Sequence, residues 1–354
     1  MRKQMRKQMR KTIALALALV IGVGLIGCVP QGGASDKAGD TGTASAEDAQ
    51  GASGELTKVR VGTDTMQLAY AQVIAKEKGF YEENGLDVDI TTYAAGIETI
   101  NAIVTGAADI GGAYDYALCT RLIPGSNVRV ASGFITNKDG AYWFESDNPD
   151  INSAADLKGA RIGIVKGTLG EYLVAKELES GGLTTEDADV VYLSADGEVA
   201  SAYVAGQIEA ILGLKAFTEE YEKVEGRHTL NTTGDIGIKS QAFIAADETF
   251  AKEHPDALAG YLEATQKALD YIASDRDDAA QICADYLTVS KQDVLLSMDS
   301  FIWDVAFTQE DYDNLQQIAD WCYENDVLGE TVISDYTVID PLISVFPDKV
   351  TWEQ

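Results

Sequence analysis

The sequence predicts an α/β protein with two similar, doubly wound α/β domains, a hinge of two crossings between them and a helical C-terminal segment. Short runs rich in β-branched residues alternate with stretches of helical apolar spacing over residues 58–216. This alternation favours largely parallel sheets. From about Asp247 the pattern changes to long helical stretches, which include residues 256–274, 277–286 and 309–325.

The N-terminus is typical of an exported chain. The segment MRKQMRKQMRK carries six Lys or Arg, and an apolar run from Thr12 to Gly27 follows it. At sixteen residues this run is shorter than the roughly 20 that a membrane-spanning helix needs. A basic segment before a short apolar one indicates a cleaved signal peptide. We predict it at residues 1–27.

The cleavage site favours lipidation. Leu25, Ile26, Gly27 and Cys28 resemble the lipobox of bacterial lipoproteins, in which the cysteine becomes the acylated N-terminus. An ordinary signal peptide with an incidental cysteine is the alternative. Residues 28–56 contain mostly Gly, Ala, Ser, Asp and Thr, which is typical of a flexible tether. We therefore predict a chain anchored to the outer face of the cell membrane through Cys28.

Composition excludes several classes of function. With 27 Lys and Arg against 57 Asp and Glu the net charge is -30, and loss of the six N-terminal cations leaves 21 against 57, or -36. Nucleic acid is therefore not expected as a partner.

The sequence also lacks the usual motifs of metal sites, nucleotide sites and catalysis. Cys119, Cys283 and Cys322 lack metal-ligand spacing, His228 and His254 are the only histidines, and no phosphate-binding loop is found. We predict no metal, no cofactor and no catalytic residue. One disulfide bridge among the three cysteines is compatible with the sequence.

Six predicted strands occupy residues 58–64, 86–93, 127–134, 160–167, 188–195 and 208–216. Two segments, 88–111 and 190–213, share one order of strand, turn, acidic helix start, helix and strand. Gly106 and Asp109 in the first correspond to Gly206 and Glu209 in the second. The similarity is weak enough to arise by chance, but it favours two similar domains. We place domain I at 57–141 plus 238–354 and domain II at 142–237. The crossings are expected near Lys138–Ser146 and Gly234–Phe243.

Several motifs occur in a specific order: AKEKGFYEENGLDV (75–88), TGAADIGG (105–112), ADLKGARIGIVKGT (155–168), AGQIEAILG (205–213) and FAKEHPDAL (250–258). In this order the mature chain resembles the substrate-binding proteins of ABC importers of the nitrate, sulfonate, taurine and thiamine-precursor group. The resemblance implies a periplasmic-binding-protein-like type II fold. It also implies a monomeric receptor that delivers a small solute to a membrane permease and its ATPase.

The ligand site is expected where strands end and helices begin, because ligands of doubly wound sheets bind there. The candidate ligand-binding residues are Asp64, Gln67, Tyr93, Gly96, Tyr114, Asp115, Thr168, Leu169, Gly170, Glu171 and Leu214. Thr168 and Glu171 also have the spacing of a capping box. We expect Asp64→Ala and Thr168→Ala to weaken ligand binding while leaving the melting temperature of the free protein nearly unchanged.

The charges near these loops predict the kind of ligand. Helix N-termini suit an anion, but Asp64, Glu98, Asp115 and Glu171 oppose one, and few cations lie nearby. The acids favour a neutral or cationic organic solute. Aromatic side chains could hold a planar ring between them; these are Tyr70, Tyr93, Tyr114, Tyr142 and Trp143. We expect a thiamine-precursor pyrimidine first, then an alkyl sulfonate, taurine or another small organic acid.

Three functions are compatible with this pattern. The first is a transport receptor without covalent chemistry. The second is a sensory lipoprotein that passes its closed state to a signalling partner. The third is an enzyme similar to the pyrimidine synthase of the same fold, which the scattered cysteines and the two histidines disfavour. The transport receptor is the preferred hypothesis.

Overall fold

The computed structural model describes residues 55–138 and 142–353, whose strands form two sheets. The strands are β1 (Thr57–Thr63), β2 (Leu86–Thr92), β3 (Ile110–Tyr114), β4 (Val128–Asn137), β5 (Tyr142–Ser146), β6 (Arg161–Val165), β7 (Asp189–Leu193), β8 (Ala210–Leu214), β9 (His228–Thr232), β10 (Gln241–Asp247) and β11 (Phe301–Ala306). The first sheet has the order β11-β4-β10-β3-β1-β2, and the second has the order β7-β6-β8-β5-β9.

Helices connect and cover these strands. They are α1 (Ala69–Glu77), α2 (Phe80–Glu83), α3 (Gly96–Val104), α4 (Asp115–Cys119), α5 (Leu169–Ser180), α6 (Asp196–Val204), α7 (Thr218–Tyr221), α8 (Glu248–Glu253), α9 (Pro255–Ser274), α10 (Arg276–Leu287), α11 (Lys291–Asp299), α12 (Gln309–Glu324) and α13 (Asp340–Val345). The helical C-terminal region predicted from residue 247 is confirmed. Its long helix α9 packs against α1, beside the first sheet.

Both sheets mix parallel and antiparallel pairs, whereas the sequence led us to expect largely parallel ones. β1 is parallel to β2 and β3, and β6 is parallel to β7 and β8. Four of the five antiparallel pairs among the described strands involve β10 or β5, each of which is the first strand after the chain passes from one sheet to the other; the fifth joins β11 to β4. Such strands are hard to predict, because a run buried on both faces, like that of β10, has no alternating pattern.

The chain passes between the sheets twice. The first sheet is built from strands within residues 57–137 and 241–306, and the second from strands within residues 142–232. The passages, between Asn137 and Tyr142 and between Thr232 and Gln241, overlap the segments where crossings were expected. The domain boundaries themselves stay a prediction. The predicted signal peptide, Cys28 and the tether up to residue 54 lie outside the described residues. No helix within residues 55–138 and 142–353 is long and apolar enough to cross a membrane.

The internal similarity in the sequence corresponds to one local structure built twice. α3 and α6 begin and end 100 residues apart. The carboxylate of Glu98 accepts from the amide of Ala94 at 3.0 Å, and that of Glu198 accepts from the amide of Ser194 at 3.0 Å. An acid in the first turn thus binds back to the preceding loop in both helices.

An arginine fixes the far end of each of these two helices. Arg60 on β1 donates to the carbonyl of Gly106 at 2.6 Å, and Arg161 on β6 donates to that of Gly206 at 3.3 Å. Asp109 and Glu209 accept from the main-chain amides of the same two arginines. Both helices are therefore held in the same way on their sheets, and their N-termini point toward the ends of the parallel strands.

Candidate functional site

A cavity of about 120 Å³ lies where the carboxyl ends of parallel strands from the two sheets meet. The first sheet contributes the residues that follow β1 and β2, the end of β3 and the start of β11. The second sheet contributes the ends of β6 and β8, together with the first residues of α5 and α6. Much of the wall is apolar; this part is formed by Ile97, Ile164, Leu169, Leu212, Leu214 and Phe301. Strand ends of both sheets therefore share one site, as expected for doubly wound sheets.

Eight of the eleven candidate residues line this cavity. They are Asp64, Gln67, Gly96, Tyr114, Thr168, Leu169, Gly170 and Leu214. Their role in ligand binding stays a prediction. The other three lie elsewhere.

Tyr93 does not line the cavity. Its amide continues the pairing of β1 and β2 by donating to the carbonyl of Thr63 at 2.8 Å. Its ring lies over Gly62, where a Cβ atom would come within 3.3 Å of it. The side chain therefore packs on the sheet, and Ala94 and Ala95 form the wall in its place.

Asp115 does not line the cavity either. It is the first residue of α4, and its side chain is completely buried. Its carboxylate accepts from the amides of Tyr116 at 2.8 Å and Gln241 at 3.0 Å, and from Asn314 Nδ2 at 3.0 Å. Burial raises the pKa of Asp115 to about 6, although these hydrogen bonds oppose the rise. Asp115 thus joins α4 to β10 and α12.

Glu171 does not line the cavity but a separate pocket beside α5, together with Tyr116 and Trp321. Its Oε2 accepts from the hydroxyl of Tyr116 at 3.2 Å, so it does not complete the expected capping box. Thr168 alone caps α5, since its Oγ1 accepts from the amide of Gly170 at 3.3 Å. The negative charge of Glu171 is therefore not presented to the cavity.

Asp64 is the most buried charged group of the wall, with 7% of its surface exposed. Its Oδ1 accepts from the amide of Met66 at 2.8 Å, which fixes the turn after β1. Burial raises the pKa of Asp64 to about 7, and the charge of Asp196 adds to the rise. The two carboxylates are therefore close enough to interact.

Asp196 was missed by the sequence analysis. It is the first residue of α6, it is half-buried, and it lines the cavity. Burial raises the pKa of Asp196 to about 6. The internal similarity held the signal that could have identified it, because Asp196 starts α6 as Gly96 starts α3. Lys215, the one cation of the lining in the described part of the chain, is exposed.

Two of the five aromatic residues proposed for a ring sandwich line the cavity. Tyr114 and Tyr142 stand edge to face, with ring centroids 6.2 Å apart. Gln67 Nε2 donates to the hydroxyl of Tyr114 at 3.1 Å, and that hydroxyl donates to Asn137 Oδ1 at 3.1 Å. Tyr70 instead packs on Trp303 in the first sheet's core, and Trp143 covers Gly213.

The described residues contain no group of three or more His, Cys, Asp or Glu side chains arranged to hold a metal ion. Neither histidine lines the cavity. Cys119, Cys283 and Cys322 are buried free thiols, and burial raises the pKa of each. These thiols are poor nucleophiles, because the reactive form is the thiolate.

Comparisons with known proteins identify the family. A protein named as a binding protein in Brucella abortus is 30% identical over 224 residues, which are 62% of this chain and 67% of that protein. The 4-amino-5-hydroxymethyl-2-methylpyrimidine phosphate synthase THI13 of Saccharomyces cerevisiae is 26% identical over 219 residues, 57% of this chain and 62% of the enzyme.

The structure resembles that of the periplasmic aliphatic sulphonate binding protein SsuA from Escherichia coli. The TM-score is 0.70 at 21% identity, and the match covers 81% of this chain and 92% of SsuA. The chain therefore has the periplasmic-binding-protein fold expected from its sequence. The sequence profile described as NMT1/THI5 like matches residues 69–279, more than half of the chain. With this match over both sheets, the chain belongs to the NMT1/THI5-like family.

Proposed function

We propose that this protein is an extracytoplasmic solute receptor of an ABC import system. One observation carries the proposal: a single cavity joins the strand ends of two sheets, and its wall combines apolar side chains with a few polar groups. Small-molecule sites have this composition, in which polar groups orient a ligand within an apolar enclosure. A solute that contacts both sheets would stabilise the closed arrangement of the two domains.

Binding without catalysis fits the residues at the site. The only histidines of the sequence lie away from the cavity, and the described thiols are buried with raised pKa values. The yeast synthase is 26% identical to this chain, but the residues lining the cavity here offer neither a histidine nor a cysteine for such chemistry. We therefore propose a receptor in preference to an enzyme.

The favoured ligand is a pyrimidine of the thiamine-precursor type. A planar ring would fit between the apolar wall and the rings of Tyr114 and Tyr142, and its amino group would donate to Asp64 or Asp196. An alkyl sulfonate, taurine or another small organic acid is the next choice. It would have to bind at the starts of α3 and α5, against the charge of the two acids.

We propose that the receptor is exported, anchored through lipidated Cys28 and monomeric, and that the tether keeps it near the permease. A chain with Cys28→Ala, expressed in a bacterium that processes lipoproteins, should lose both palmitate labelling and its place in the membrane fraction. Equal labelling of the parent and the variant would contradict lipidation at Cys28 without affecting the binding proposal.

The binding proposal is tested by a thermal-shift panel on protein that has been unfolded and refolded to remove any carried solute. A ligand at a hundredfold excess over its Kd adds about 2.7 kcal/mol of stability, which raises the melting temperature by about 5 °C for a domain of this size. The panel contains aminopyrimidines, alkyl sulfonates, taurine and small organic acids. A shift with an aminopyrimidine supports the favoured ligand, and a shift with sulfonates alone contradicts it.

A further inference from the structure

Three buried or half-buried side chains of the cavity wall have hydrogen-bond acceptor atoms without a partner in the described residues; they are Asp64, Asp196 and Gln67. Within the described residues the carboxylate of Asp196 makes no hydrogen bond or ion pair, and that of Asp64 accepts one hydrogen bond, from Met66. Gln67 is 6% exposed and uses its Nε2 to bind Tyr114, which leaves its side-chain carbonyl oxygen for a ligand. A ligand that satisfies these three groups has to present N–H or O–H donors.

The negative charge of the wall also favours a ligand with N–H or O–H donors, and in particular a cation. Asp64 is buried and Asp196 half-buried, whereas the ammonium-bearing side chain of Lys215 is exposed to water. Closing the cavity around a neutral or anionic solute would leave two carboxylates partly dehydrated without a counter-charge, which is costly. The raised pKa values of both acids express this cost. A cation in the cavity would remove it.

The two acids belong to different sheets. Asp64 follows β1, and Asp196 follows β7 at the start of α6. A group that binds both carboxylates therefore contacts both halves of the site. Its binding energy would depend on the closed arrangement, which is what a receptor needs in order to signal that it is loaded.

We propose that the solute is a nitrogen cation of the amidinium, guanidinium or protonated aminoheterocycle class, whose N–H groups bridge Asp64 and Asp196. This inference rests on the proposed receptor function and specifies the class of its ligand. The apolar wall suits a planar apolar body next to the charged group. Charge-assisted hydrogen bonds to the two carboxylates supply the specificity.

The competing feature is the pair of helix N-termini at Gly96 and Leu169, whose main-chain amides favour an anion. A charge series on one ring separates the two effects. Benzamidine is a cation, benzamide is neutral and benzenesulfonate is an anion, and the three have similar apolar bodies. Calorimetric titration of each into the full chain, kept soluble in mild detergent, gives three dissociation constants.

Benzamidine should bind most tightly and benzenesulfonate most weakly. Asp64→Asn and Asp196→Asn should each weaken benzamidine binding by about tenfold or more, the effect of losing a hydrogen bond to a charged group. Benzamide binding should change less than threefold. The matched control is Glu198→Gln, an exposed acid two residues further along α6 that does not line the cavity, and it should leave all three constants unchanged.

Tighter binding of benzenesulfonate than of benzamidine would overturn the cation bridge. The cation bridge would also be overturned if Asp64→Asn bound benzenesulfonate more tightly than the parent but benzamidine equally well. Both results leave the receptor function standing. A chain that binds neither this series nor the aminopyrimidines and sulfonates of the wider panel would overturn the receptor function and the cation bridge together.

Discussion

The hydroxyl of Tyr116 donates to Glu171 Oε2 at 3.2 Å and thereby joins α4, beside the first sheet, to α5, beside the second. A second bond of the same kind runs from Trp321 Nε1 in α12 to Glu179 Oε1 in α5 at 2.9 Å. None of these four residues lines the cavity. Helices of the two sheets are thus connected by side chains that a ligand in the cavity does not touch.

Tyr116→Phe removes the first connection and leaves the ring in its packing against Tyr172. We expect the free energy of unfolding to fall by about 1 kcal/mol, the net value of one such hydrogen bond. Ligand affinity should fall roughly two- to fivefold, because opening of the cleft would no longer break this bond. Urea unfolding and calorimetric titration measure the two effects. Tyr323→Phe, at a side chain 53% exposed on α12, is the control; an equal effect of both variants would contradict the prediction.

The stability of the free protein should depend on pH through Asp64. Burial raises the pKa of Asp64 to about 7 in the folded protein, against about 3.9 in an unfolded chain. The folded state therefore binds this proton more tightly, and the stability it contributes is present below about pH 4 and lost as the pH rises to about 7. Asp64→Asn removes this loss and keeps an acceptor for the amide of Met66.

At pH 8 Asp64→Asn should be more stable than the parent by on the order of 1 to 4 kcal/mol, and at pH 4 the two should agree. Denaturant unfolding at pH 4, 6 and 8 measures the difference. Asp196→Asn should act in the same direction but less strongly, because Asp196 is half-exposed. A difference between Asp64→Asn and the parent that stays constant with pH would show that it does not arise from this carboxyl group.

Thr168→Ala tests the start of α5. The sequence led us to expect a loss of binding alone, but Oγ1 of Thr168 caps the helix through the amide of Gly170 and donates to the carbonyl of Val165 at 2.8 Å. Loss of an N-cap costs about 1 kcal/mol, so the melting temperature of the free protein should also fall. Thr168→Ser keeps the hydroxyl and should restore it. Unchanged melting in Thr168→Ala would show that the cap contributes nothing to stability.

The sequence was sufficient to predict the two-sheet architecture and most of the cavity loops, because parallel strands place their ends together and these ends can be read from the succession of β-rich runs and helical stretches. The sequence was not sufficient to predict that the side chains of Asp115 and Glu171 lie outside the cavity. Each begins or nearly begins a helix at a strand end, as Asp196 does, but the direction of its side chain depends on residues far along the chain. Asp115 turns toward β10, 126 residues away, and Glu171 toward Tyr116, 55 residues away.

A substitution of Asp115 can therefore show whether this acid supports the fold or binds the ligand. Asp115→Ala would leave the amide of Gln241, a residue 3% exposed, without its acceptor, and would also free Asn314. Unpartnered buried groups cost about 1 to 3 kcal/mol each, so the free energy of unfolding should fall by roughly 2 to 4 kcal/mol. Ligand affinity, measured at a temperature where the variant is fully folded, should change less than threefold.

Asp313→Ala is the matched control for this change, because Asp313 is exposed on α12 and its carboxylate accepts from Gln309 Nε2 at 2.8 Å in the same helix. Its effect on unfolding should stay within about 0.5 kcal/mol. If Asp115→Ala instead abolished binding while unfolding like the parent, Asp115 would be reaching the ligand. The opening of the cleft would then have to turn this carboxylate away from Gln241 and into the cavity.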